Sequence, residues 1–121
     1  MPHDEIHYRI FKIIEAQPDI SQRQLAQALG ISLGKTNYCL RALIEKGQVK
    51  ARNFQRNPSK KTYVYLLTPK GIEEKARLTG RFLKRKLAEY EALKIEIEQL
   101  KDELDGQVIT GLDNQMGMEN G

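Results

Sequence analysis

The chain of 121 residues has one cysteine, four prolines with none after Pro69, and no apolar run long enough to span a bilayer. A lone cysteine excludes an internal disulfide and agrees with a reducing compartment, so the expected location is the cytoplasm. The opening MPHDEIHYRIFKII is amphipathic and carries Asp4 and Glu5, a pattern foreign to a secretory signal. No internal repeat is visible. No carboxylate pair, triad or oxyanion motif stands out, so nothing points to an enzyme. His3 and His7 lie one helical turn apart but lack a third ligand, which argues for surface histidines rather than a metal site. Gly34, Lys35 and Thr36 imitate the end of a phosphate-binding loop, yet Gly30 and Gly34 enclose three residues where that loop needs four, and no strand precedes them. No cofactor is therefore expected.

What the chain does have is the stretch SQRQLAQALGISLGKTNYCLRALIEKGQV, from Ser21 to Val49. Ser21 can cap the free N–H groups of a helix, with Gln24 reaching back to complete a capping box. Ile20 and Leu25 are placed as a hydrophobic staple, and Leu25, Ala26 and Leu29 form an apolar stripe. Gly30 ends the helix, because a left-handed backbone costs glycine little. Ser32 caps a second helix that turns Leu33, Thr36, Leu40, Leu43 and Ile44 inward and stops at Gly47. Its opposite face holds Gly34, Lys35, Tyr38, Arg41 and Ala42, with Asn37 on the flank and no acid before Glu45. Lys and Arg supply phosphate contacts, Arg also forks onto guanine, and Asn suits adenine, while Gly34 permits close approach of the helix N-terminus to a phosphate backbone. A solvated face in any small helical domain is the alternative reading. Cys39 has no base or resolving partner in sequence and reads as a half-buried packing residue.

Val49–Phe54 and Thr62–Leu67 are short β-prone runs joined by QRNPSKK, which predicts a hairpin with Asn57 and Pro58 at its tip. Arg56, Lys60 and Lys61 gather there, with Arg52 on the incoming strand. Two helices around a tight turn followed by a basic hairpin describe a winged helix. Lysines and arginines that keep a sheet edge soluble would look similar. The charge distribution favours nucleic acid. From Leu33 to Lys61 there are eight basic residues against one acid, so this stretch carries plus seven in a chain whose net charge is plus four.

Asp4–Ala16 reads as a supporting helix with Ile6, Ile10, Ile13 and Ile14 on one side, closed by Gln17-Pro18-Asp19. Thr68 and Pro69 form a cap and first-turn proline that start one long helix to about Asp105, roughly 55 Å at 1.5 Å per residue. With Leu83 at a, the heptad a positions are Ala76, Leu83, Tyr90, Ile97 and Leu104, and the d positions are Ile72, Thr79, Lys86, Leu93 and Leu100. Lys86 breaks this seam, with Leu87 beside it as a partial substitute. Packing back onto its own domain is the alternative, but a helix this long outreaches so small a core. Glu89 and Glu96 at g face Lys94 and Lys101 at e only in a parallel pair, so the expected assembly is a parallel homodimer. The organisation expected is a winged helix-turn-helix domain over 1–68, a dimerisation helix over 69–105 and a disordered tail over 106–121. The fold class is mainly α with a small β-hairpin, ending in a long coiled-coil helix.

The segments LGKTNYCLRALIEKG and LLTPKGIEEKARLT resemble the MarR-type winged-helix regulators, in particular the subgroup associated with bacterial exopolysaccharide gene clusters. The resemblance covers Asp4 to about Leu104. It implies a bacterial homodimeric transcriptional regulator of polysaccharide synthesis that contacts duplex DNA through Lys35, Asn37, Tyr38 and Arg41 and through the wing residues Arg56, Lys60 and Lys61. The extra N-terminal helix that roofs the effector pocket in larger members has no counterpart here, so any small-molecule effector is left open. Leu83, Tyr90, Leu93, Ile97, Leu100 and Leu104 are the candidate dimer contacts. The rival readings are a winged-helix protein-interaction module without specific DNA binding, and a switch responding to a ligand or to oxidation of Cys39.

Overall fold

A computed structural model describes the backbone of residues 3–57 and 60–118 and the side chains of residues 3–53 and 62–107. The order of elements is α1 (His3–Ala16), α2 (Gln22–Leu29), α3 (Leu33–Glu45), β1 (Val49–Asn57), β2 (Lys60–Leu67) and α4 (Pro69–Met118). This is a mainly helical winged helix-turn-helix domain followed by a long helix, the fold class the patterning indicated. The chain divides into two units, Met1–Arg81 and Phe82–Gly121.

The turns form where their chemistry demands. The Ser21 hydroxyl accepts from the Gln24 amide at 3.1 Å while Gln24 Oε1 accepts from the Ser21 amide at 3.0 Å, so the capping box is complete. Gly30 ends α2 with φ 71° and its N–H on the Ala26 and Gln27 carbonyls. Arg9 of α1 reaches the same helix end, donating to the Ala28 and Leu29 carbonyls at 2.8 and 3.1 Å, a cation where the helix dipole is negative. Ser32 caps α3 through the Lys35 amide, and Gly47 turns the chain at φ 73° toward β1.

The core is built on α1, whose buried stripe is Ile6, His7, Ile10, Phe11 and Ile14, with Ile20, Leu25, Leu29, Leu40, Leu43, Val49, Tyr65 and Leu78 packed around it. Several side chains depart from the sequence expectation, Ile44 among them, which is half-buried rather than turned fully inward. His7 is only 9% exposed rather than at the surface, because it precedes Ile10, Phe11 and Ile14 at helical spacing, while Ile13 is half-buried at the stripe's margin. Cys39 is fully buried rather than half-buried, since it shares the Thr36, Leu40 and Leu43 stripe. Leu33 is exposed, one turn ahead of Thr36 where that stripe begins. The Thr36 hydroxyl, itself wholly buried, donates to the Ser32 carbonyl at 2.9 Å.

The hairpin strands are longer than the apolar runs implied. Antiparallel pairing runs from Val49 opposite Leu67 to Asn57 opposite Lys60, with an irregularity between Gln55 and Asn57. Backbone pairing does not require apolar side chains, so the ladder continues through the basic segment read as a loop. The outer edge of β2 is used too, the Tyr65 amide donating to the Pro18 carbonyl at 2.9 Å. The Thr68 amide and hydroxyl donate to the Gln48 and Gly47 carbonyls at 3.1 and 2.5 Å, and the hydroxyl accepts from the Gly71 amide at 3.1 Å. A Cβ on Gly71 would stand 1.9 Å from the Gln48 oxygen, so only glycine lets α4 start this close to the α3–β1 turn.

Lys75 pairs with Glu15, and Arg81 with Asp4 at 2.8 Å, adding surface links between α4 and α1. The helix α4 continues beyond Asp105, the end that the pattern implied. Gly106 weakens a helix by about 1 kcal/mol without stopping it. Most of the expected 106–121 tail lies outside the residues whose side chains are described.

His7 Nε2 is buried without a hydrogen-bond partner. Burial foremost, and then the positive charge of Lys46, hold its pKa below the ordinary histidine value, against the opposing carboxylates of Asp4 and Glu74. The folded domain therefore binds this proton less readily than the unfolded chain does. The resulting stability is complete above the unfolded value of about 6.5 and declines as pH falls below it toward the folded value. Chemical denaturation of the natural chain and of His7→Phe between pH 5 and 8 should show a flatter acid limb for the variant.

Candidate nucleic-acid interface

The helix α3 is held from beneath and free above. Thr36, Cys39, Leu40 and Leu43 are buried, which turns Gly34, Lys35, Tyr38 and Arg41 outward, with Asn37 and Ala42 half-exposed at the margins. Tyr38 is 66% exposed, far more than a phenol placed for packing would be. Gly34, Asn37, Tyr38, Arg41, Ala42 and Glu45 line a shallow hollow of about 340 Å³ along this face. The expected residues of α3 therefore stand together on one surface. Arg52 is exposed on β1. The side chains of Arg56, Lys60 and Lys61 lie outside the described residues, although Lys60 and Lys61 do pair in the ladder.

Asn37 is not a free side chain. Its Nδ2 donates to Gln22 Oε1 at 2.9 Å, and Gln22 Nε2 donates to the Tyr65 hydroxyl at 3.3 Å. One chain of hydrogen bonds thus joins α3, α2 and the wing strand β2. Gln22 carries no signal in sequence beyond its place after the Ser21 cap, so its part in the site emerges only when α2 and β2 are brought together. A second hollow, lined by Ile20, Ser21, Gln22, Thr62, Tyr63 and Tyr65, opens beside this chain. The Tyr63 and Tyr65 rings stack there with centroids 6.4 Å apart.

The remaining chemical candidates have simpler roles. Burial pushes the Cys39 thiol up, against the attraction of Lys35 for its thiolate, which leaves a packing residue with little reactive thiolate. His3 and His7 meet edge to face at 5.9 Å between ring centroids. No group of three or more metal-ligating side chains occurs among the described residues.

A family described as winged helix-turn-helix DNA-binding matches residues 3–50. The chain carries a winged helix-turn-helix domain. No curated protein matches the sequence. Several solved structures share the fold of this domain and its following helix. A MepR mutant from S. aureus is 21% identical with a TM-score of 0.59, over 91% of this chain and 80% of its own. A MarR/EmrR family transcriptional regulator from Acinetobacter sp. ADP1 is 20% identical with a TM-score of 0.55, over 82% of this chain and 74% of its own. Wild-type ZitR from Lactococcus lactis, solved in complex with DNA, is 16% identical with a TM-score of 0.56, over 92% and 73%. The winged helix-turn-helix domain here is thus built as in MarR-type regulators.

Gly34 is unexplained by the fold. A Cβ added there meets nothing within 4 Å and its φ is not positive, so alanine fits. Glycine in a helix costs about 0.5 to 1 kcal/mol relative to alanine, and a methyl group at this outward position would hold a phosphate backbone away. Gly34→Ala should therefore raise the melting temperature while weakening duplex binding. Equal affinity in a fluorescence anisotropy titration would remove Gly34 from the interface.

Proposed function

We propose that this chain is a MarR-type transcriptional regulator that binds duplex DNA as a homodimer. The observation that carries the reading is the outward face of α3, where Lys35, Tyr38 and Arg41 are exposed together on a winged helix-turn-helix domain with no acid before Glu45. In this reading Arg41 and Asn37 address base edges, and Lys35 and Tyr38 sit against the sugar-phosphate backbone. Arg52, Arg56, Lys60 and Lys61 supply the wing's phosphate contacts. The regulated genes are those of exopolysaccharide synthesis, a reading that rests on the resemblance of LGKTNYCLRALIEKG and LLTPKGIEEKARLT alone. A cytoplasmic regulator suits the single buried cysteine, and no described helix is long and apolar enough to cross a membrane.

The partner is a second copy. Leu83, Tyr90, Leu93, Ile97, Leu100 and Leu104 are all exposed on α4, from 42% at Ile97 to 59% at Leu104, more apolar surface than a solitary helix retains in water. Each such side chain contributes about 1.5 to 3 kcal/mol when fully buried, so the seam supplies the strength. The charges supply the direction, since Glu89 and Glu96 at g meet Lys94 and Lys101 at e only between parallel helices. Within one helix these lysines lie near Glu91 and Glu98, at 3.9 and 3.7 Å, and those contacts are loose enough to yield to a partner.

Two measurements test the reading. Genomic fragments retained by the full chain should converge on a shared sequence, and each phosphate contact adds about 0.9 to the slope of log affinity against log salt. Replacing Lys60 and Lys61 by Ala should flatten that slope by roughly one to two units. Salt-insensitive or absent affinity for duplex DNA would instead identify a protein-interaction module. For the dimer, changing Ile97 and Leu100 together to Ser should give monomers in sedimentation equilibrium and weaken operator binding. A cysteine at position 97 should crosslink to its own copy after Cys39→Ser, whereas crosslinking only between opposite helix ends would refute the parallel arrangement.

A further inference from the structure

We propose that Gln22 is a positioning residue for base reading, holding the Asn37 amide in the orientation that matches adenine. The inference rests on the reading of α3 as the DNA-contacting helix and adds the residue that sets its selectivity. With one Nδ2 hydrogen committed to Gln22 Oε1, Asn37 has its Oδ1 and its second Nδ2 hydrogen left to offer. Adenine presents the matching pair in the major groove, the N6 amino donor and the N7 acceptor. A half-turn of the amide would exchange acceptor and donor and destroy the match. Gln22 opposes that half-turn, since it would set the Asn37 carbonyl oxygen against Gln22 Oε1, and the Tyr65 hydroxyl 3.3 Å from Nε2 holds the Gln22 side chain in place.

The far end of the chain is rigid. Tyr65 is 4% exposed, lies in the β ladder opposite Ala51, and has its amide bonded to the Pro18 carbonyl. Gln22 and Asn37 are half-exposed, so the bonds between them are partly shielded from competing water. The side chain of Gln22 is not needed to start its helix either, because Ser21 and Gln24 complete that cap between themselves. Its amide joins Asn37 to the wing strand.

The test selects duplexes from a randomised library with the natural full chain and with Asn37→Ala, Gln22→Ala, Gln22→Glu and the Gln22→Ala, Asn37→Ala double variant. The natural chain should prefer adenine at one position of each half-site, a preference that Asn37→Ala lowers roughly five- to hundredfold. Gln22→Ala should lower the same preference about two- to tenfold, the worth of one orienting hydrogen bond, and leave other positions unchanged. Added to Asn37→Ala it should cost nothing further. Gln22→Glu still accepts from Asn37 Nδ2 and should keep the adenine preference while lowering affinity for all duplexes through its charge. A second measurement needs no DNA. In the free chain the Asn37 side-chain amide proton bonded to Gln22 should exchange with water more slowly than the same proton in Gln22→Ala. Intact adenine preference in Gln22→Ala, uniform loss across all sequences, or Asn37 side-chain protons that exchange alike in the natural chain and in Gln22→Ala would each overturn the inference. Failure of the natural chain to select any sequence, with the Asn37 proton still slowed relative to Gln22→Ala, would overturn the DNA-binding reading instead.

Discussion

The domain depends on the contact between the α3–β1 turn and the start of α4. At that point the Gly47 and Gln48 carbonyls receive the Thr68 hydroxyl and amide, and the missing side chain of Gly71 leaves room for the Gln48 oxygen. The two ends of the hairpin are thereby closed at the place where one helix leaves the core and another enters it. A domain of this size buries too little apolar surface to tolerate a loose junction, so the wing's base must be fixed by hydrogen bonds as well as by Val49 and Tyr65. From that junction α4 carries Leu78 into the core and its Lys75 and Arg81 to their pairs with α1.

The second organising feature is the division of labour on α3. Its buried stripe is short and made of modest side chains, Thr36, Cys39, Leu40 and Leu43, which leaves the opposite face free of structural duty. Lys35, Tyr38 and Arg41 contribute little to the fold, and Gly34 costs it helical stability. Residues that a fold neither needs nor prefers are the ones available for a partner. Asn37 stands between the two groups, since it is half-exposed yet tied into the framework through Gln22 and Tyr65.

The features legible in sequence were those set by local chemistry. Ser21 with Gln24, Gly30, Ser32, Gly47 and the Thr68-Pro69 start act over three or four residues, and each appears where the sequence placed it. The outward face of α3 was legible for the same reason, as helical spacing relates Lys35, Tyr38 and Arg41 without reference to the rest of the chain. Less legible were elements whose extent depends on pairing. The strands β1 and β2 run through the basic segment because backbone hydrogen bonds ignore side-chain polarity, and a pattern of apolar residues cannot register that.

The sequence alone determined the order and type of the elements, the polarity of the α3 surface and the exposed apolar seam of α4, because capping and periodicity act within one element. The tertiary structure alone decided why Gly71 must be glycine and that Gln22 links Asn37 to the wing strand. Both depend on residues between 15 and 43 positions apart being brought to within bonding or packing distance. Local propensity carries no record of such distances. They are set when the α1 stripe, the helix pair and the hairpin close on one another, and the hydrogen bonds of a side chain such as Gln22 exist only after that closure.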